Sequence, residues 1–77
     1  MESAPFFDPK VLPELVKAKM PYGKYEGRFL YQLPVSYLEW FGRKGFPKGK
    51  LGQQLELMLL IKSNGIEEVL RPFIGKA

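Results

Sequence analysis

Cysteine and histidine are both missing from this 77-residue chain, threonine is absent as well, and Asp8 is the one aspartate. Without cysteine there is no disulfide framework and no thiolate nucleophile. Without either missing ligand there is no zinc site built on thiolate or imidazole. The lack of imidazole also removes the commonest general base near neutral pH. A carboxylate cluster for a metal would have to be assembled from scattered glutamates, so no metal and no cofactor is expected. Glu26 and Glu39 are the glutamates nearest the middle of the chain, and nothing beside them implies a shifted pKa. No catalytic residue is therefore named, and the protein is expected not to be an enzyme.

Long apolar runs are lacking too. The longest nearly apolar stretch, "LELMLLI" at residues 55–61, falls far short of the ~20 residues that a membrane-spanning helix needs. The opening "MESAPFFDPK" has neither the basic start nor the apolar run of a signal peptide. Together with the lack of cysteine, these features lead to the expectation of a soluble, cytoplasmic protein with no membrane partner.

What remains is a globular composition. Apolar residues make up 45%, aromatics 14% and charged residues 26%, which is enough apolar bulk for a core and too little charge bias for disorder. One domain is expected over 8–77, preceded by a flexible lead over 1–7 whose Phe6 and Phe7 could tuck onto the core. The net charge of +4 is uneven. Between positions 17 and 50 lie eight basic residues against two acidic, and elsewhere four against six. Such a concentration fits an anionic partner for the middle of the chain, or equally a solvated surface kept soluble by lysines.

The residue pattern predicts an α+β fold, mostly helical: three to four short helices with one small β-hairpin near residues 19–31. Asp8-Pro9 is a cap-and-first-turn pair. Pro13 allows either a short turn at 9–12 or a helix that starts near Pro13 itself, with Val11, Leu12, Leu15 and Val16 as the buried stripe. Over 19–31, Gly23 and Gly27 supply the reversal and Tyr22, Tyr25, Phe29 and Tyr31 suit strands. Pro21 restricts its strand to an edge or a beginning. A second helix follows, with Ser36 and Glu39 at capping-box spacing, Pro34 arguing for a slightly earlier start, and Gly45 as its close. Tyr37, Leu38, Trp40 and Phe41 would crowd one broad face of it. The third and longest helix, from Leu51 to the Asn64-Gly65 C-cap, is apolar nearly all round, which fits a central core position or a face shared with a second subunit. A last short helix over 66–74 should end at Pro72.

Two stretches carry candidate binding residues. "MPYGKYEG", residues 20–27, interleaves Tyr22, Lys24 and Tyr25 with glycine, and Arg28 follows. Its spacing lacks the G-x-x-x-x-G-K-[ST] pattern of a phosphate-cradling loop, so turn geometry accounts for Gly23 and Gly27. Exposed rings stack on bases while lysine and arginine neutralise phosphates, although rings in so small a protein also serve the core. "GRKGFPKGK", residues 42–50, sets Arg43, Lys44, Lys48 and Lys50 on a helix end and a glycine-rich connector, where they contact phosphate or simply cap the helix. The candidate nucleic-acid contacts are thus Tyr22, Lys24, Tyr25, Arg28, Arg43, Lys44, Lys48 and Lys50. Gly23, Gly27, Gly45 and Gly65 are read as structural turns.

The stretch from Lys19 to Leu70 resembles a family of small bacterial proteins provisionally labelled quorum-sensing-regulated virulence factors. The likeness rests on Met20, Pro21, Tyr22, Gly23, Lys24, Tyr25 and Gly27. It continues through Leu33-Pro34, Tyr37-Leu38, Trp40-Phe41, Gly45-Phe46-Pro47, Gly49 and Leu51-Gly52. The family label implies no biochemical activity. The portion from Pro21 to Phe41 is also similar to the C-terminal region found on exodeoxyribonuclease X-like enzymes, which implies an accessory role beside nucleic acid. The leading expectation is a small non-enzymatic module that binds DNA or RNA. The alternative is a protein-interaction or regulatory module, homodimeric through the helix over 50–63.

Overall fold

A computed structural model describes residues 10–74. The expected lead over 1–7 and the Asp8-Pro9 cap lie outside the described residues. Three α-helices carry the fold: α1 (Val11–Lys17), α2 (Val35–Lys44) and α3 (Lys50–Ser63). Two 3₁₀ segments, Leu30–Gln32 and Glu67–Phe73, complete it. Helix α2 packs on α3, and α1 packs on both 3₁₀ segments. No helix among the described residues is long and apolar enough to cross a membrane.

The expected α+β class with a β-hairpin near 19–31 is incorrect: the described residues contain no β-strand, only an isolated antiparallel bridge between Lys19 and Phe29. The chain does reverse there. Leu30 N–H donates to Ala18 C=O (2.9 Å), Met20 N–H to Arg28 C=O (2.9 Å) and Gly27 N–H to Met20 C=O (2.8 Å). Pairing stops at that point for local reasons. Pro21 has no N–H to continue a ladder. Gly23 and Gly27 take φ of +83° and +85°, which breaks the extended conformation that a strand requires. Tyr25 is drawn onto α2, its ring centroid 4.7 Å from that of Tyr37. Residues 21–26 thus form a closed loop whose two ends meet at Met20.

Proline placement fixes the helix starts. In α1, Pro13 is the third helical residue, where its missing N–H would have had no acceptor in any case. The helix therefore begins ahead of Pro13, at Val11. In α2, Pro34 is the N-cap, and its carbonyl accepts the Tyr37 and Leu38 N–H groups. The anticipated capping box fails, because Ser36 falls inside the first turn and no side chain caps the helix. Helix α3 ends as its Asn64-Gly65-Ile66 sequence requires. Gly65 N–H reaches Lys62 C=O, Ile66 N–H reaches Ile61 C=O, and Asn64 Nδ2 donates to Leu60 C=O at 2.8 Å. The last segment does not stop at Pro72 but runs through it as 3₁₀ helix to Phe73.

The core is aliphatic. Leu15, Val16, Met20, Leu30, Leu33, Leu38, Leu55, Met58, Ile61 and Leu70 are buried, and among the described residues no aromatic side chain joins them. Each of these residues stabilises the fold by about 1.5–3 kcal/mol on transfer from water. Tyr25, Tyr31, Tyr37, Phe41, Phe46 and Phe73 pack around this centre half-buried. In α3 the buried positions Gly52, Leu55, Met58 and Ile61 recur every third residue, while Leu60 faces outward. The nearly all-round apolarity of α3 resolves into a core face and an exposed one.

Candidate functional site

With the core filled by leucine, isoleucine and methionine, the rings are left to build a surface. Along α2, Tyr37, Trp40 and Lys44 recur at intervals of three and four residues, so they share a face distinct from that of buried Leu38. The Tyr37 and Trp40 rings lie nearly parallel, 22° apart with centroids at 5.8 Å. Lys44 Nζ stands 5.5 Å from the Trp40 ring centroid. Tyr37 precedes Trp40 by one helical turn and Lys44 follows it by one. Phe41 meets both rings edge-on, at 5.9 Å from Tyr37 and 5.8 Å from Trp40. Behind Phe41, Phe46 folds back against Gly42, where a Cβ would come within 3.1 Å of its ring.

The closed loop supplies the opposite wall. Its Met20 anchor is buried and its Tyr25 ring is held by Tyr37, which lays residues 22–24 alongside α2. The result is an open groove of about 490 Å³ lined by Tyr22, Gly23, Lys24, Tyr37, Trp40 and Phe41. Tyr22 and Trp40 are 47% and 46% exposed, so both side chains reach solvent at the groove. The Tyr37 hydroxyl lies over Gly23, 3.6 Å from where a Cβ would stand. Burial raises the Tyr37 pKa above 10.0, and the neighbouring Tyr22 and Tyr25 phenols raise it further, so the hydroxyl stays protonated through the neutral range.

Charge sets this groove apart from three others around the described residues. Its lining contains Lys24 and no carboxylate, and Lys44 stands at its Trp40 edge. Three other grooves around the described residues each include glutamate: Glu67 and Glu68 near Tyr31, Glu56 beside Leu57 and Leu60, and Glu39 and Glu56 beside Arg43.

The sequence-derived candidates therefore separate. Tyr22 and Lys24 come together in the groove lining, Lys44 stands over the ring of its Trp40, and Tyr25 supports the groove from behind, with Lys24 Nζ 5.6 Å from the Tyr25 ring centroid. Arg43 lies on a different groove with Glu39 and Glu56. Lys50 pairs with Glu14 at 3.1 Å on an exposed surface. Arg28 and Lys48 are exposed and do not line the groove. Sequence reasoning placed Trp40 and Tyr37 on a crowded apolar face and so missed them as site residues. The signal was the Tyr37-Trp40-Lys44 spacing, offset from Leu38.

Comparison with known proteins places this chain in a family. The family described as "Putative quorum-sensing-regulated virulence factor" matches residues 8–73, and the chain belongs to it. It is 48% identical over 62 residues to the protein named "Uncharacterized protein YpeB" of Escherichia coli strain K12, a match covering 79% of this chain and 86% of that protein. The protein of the same name from Escherichia coli O157:H7 matches to the same extent. No exonuclease stands among these matches, and no solved structure matches.

Proposed function

We propose that this protein is a small non-enzymatic module that binds nucleic acid through the groove between α2 and the 21–26 loop. The observation that carries this reading is the exposed Trp40 ring with Tyr37 on one side along the helix, Lys44 on the other, and Tyr22 and Lys24 across the groove. A solvent-exposed ring beside a lysine is the combination that stacks a base and neutralises its phosphate. Stacking contributes about 1–3 kcal/mol per base.

The groove lining carries neither carboxylate nor imidazole, and burial raises the pKa of its Tyr37 hydroxyl away from the neutral range that general acid–base chemistry uses. Binding without turnover is the role its residues fit. Trp40 is the sole tryptophan, so its emission reports the groove directly. Titration with short DNA and RNA oligomers at low salt should quench that emission saturably, and added salt should reverse the quench. Unchanged emission with both polymers at low salt would refute the reading.

A further inference from the structure

Six cations were candidates for phosphate contacts, yet the fold brings only Lys24 and Lys44 to the aromatic groove. Arg43 shares its groove with Glu39 and Glu56, and Lys50 is paired with Glu14. We infer that the groove takes single-stranded rather than duplex nucleic acid, seating one unpaired base on Trp40 and Tyr22 with the adjoining phosphates at Lys44 and Lys24. The inference rests on the nucleic-acid reading above and narrows it to a substrate form and a footprint.

Three observations support the narrowing. First, Trp40 and Tyr22 line a concavity and are each about half exposed to solvent. A base can lie in such a concavity only when its own faces are free, and in a duplex both are covered by neighbouring base pairs. Second, the groove volume of about 490 Å³ falls within the about 300–1,000 Å³ of sites for small organic groups. It suits one base, whereas a duplex would require a long convex element to enter its groove. Third, the groove lining is free of carboxylates, so nothing there repels a phosphate backbone.

The cation count sets a measurable expectation. For single strands, the logarithm of the binding constant falls with the logarithm of salt concentration at about 0.7 per neutralised phosphate. Two phosphates give a slope near −1.4, and raising salt from about 50 mM to about 200 mM weakens binding about 7-fold. Engagement of all six candidate cations would give a slope near −4, and the same change would weaken binding about 300-fold.

The test is fluorescence anisotropy with a labelled single strand of about 12 nucleotides, a blunt duplex of the same sequence, and poly-glutamate as a competitor that carries charge without bases. The expected result is tighter binding of the single strand than of the duplex, a slope near −1.4, and weak competition by poly-glutamate. Lys24→Ala and Lys44→Ala should each remove about 0.7 from the slope, while Arg43→Ala and Lys50→Ala leave it unchanged. Trp40→Ala should weaken single-strand binding between about 5-fold and about 150-fold. Trp40 is 46% exposed, and far-UV circular dichroism of the variant verifies that its fold is kept. Duplex binding as tight as single-strand binding, or a slope near −4, overturns this inference while the nucleic-acid reading survives. Equal competition by poly-glutamate overturns the base-stacking footprint and points instead to acidic peptide. Absence of binding to either nucleic acid at about 50 mM salt removes the parent reading as well.

Discussion

Gly52, in the first turn of α3, lies directly under the backbone carbonyl of Pro47: a Cβ on Gly52 would fall on the Pro47 oxygen and come within 2.9 Å of its carbonyl carbon. The connector after α2 can cross α3 this closely only because residue 52 has no side chain. Gly→Ala in a helix normally stabilises by up to about 1 kcal/mol. Here the sign reverses, because the obstruction is backbone and overpacking costs about 1–3 kcal/mol. Gly52→Ala should therefore lower the thermal midpoint by at least about 4 °C, measured by circular dichroism. A raised midpoint would mean that the connector is free to move aside.

The raised pKa of Tyr37 has a consequence for stability at alkaline pH. The folded state holds the Tyr37 proton more tightly than the unfolded chain does, chiefly through burial and then through the Tyr22 and Tyr25 phenols. That contribution is fully present below the unfolded value of 10.0 and is lost as pH rises through the folded value. Urea unfolding at stepped pH above 9 should show stability declining in the native protein. The decline should be shallower in Tyr37→Phe, which has no proton to lose there. Absorbance titration should show a late-ionising tyrosine component, and that component should vanish in Tyr37→Phe.

The two faces of α3 should respond oppositely to the same charge. Leu55 is fully buried, and Leu60 is 44% exposed. Placing a carboxylate at residue 55 would strand it in an aliphatic core without a partner, and Leu55→Glu should abolish folding at room temperature. Leu60→Glu should stay within about 0.5 kcal/mol of the native protein by urea unfolding. A large destabilisation in Leu60→Glu would indicate that this face is covered in solution, and sedimentation of the native chain would then reveal a second copy.

Much of the helical framework was legible in the residues. The Asn64-Gly65-Ile66 ending of α3 could be read because one left-handed glycine and two backbone hydrogen bonds satisfy the last carbonyls, a purely local arrangement. Gly45 likewise closes α2 at φ +105°. The hairpin was misread because strand propensity at Tyr22, Tyr25 and Phe29 does not include the competing attraction of a helix elsewhere in the chain. Tyr25 packs on Tyr37, twelve positions away. The Ser36-Glu39 spacing misled for a related reason: Pro34 fixed the start of α2 two residues ahead of the serine. At the site, cations could be counted from the sequence but not sorted. The Lys50–Glu14 pair and the approach of Glu56 to Arg43 are products of packing, whereas Glu39 stands one helical turn before Arg43 on α2; together they leave Lys24 and Lys44 as the two at the groove.

The closed loop begins and ends on one buried methionine, with Met20 backbone groups bonded to Gly27 and Arg28. Of its six intervening residues, Gly23 is tied to its positive φ and Tyr25 to its packing on Tyr37, while the exposed Pro21, Tyr22, Lys24 and Glu26 can be exchanged and the segment extended with the core beneath left as it is. Doubling the segment's length adds only about 0.6 kcal/mol of closure entropy. One wall of the groove is in effect a replaceable cassette clipped to a fixed helix, which makes the 21–26 segment the natural place for evolution, or an engineer, to retune what this scaffold grips.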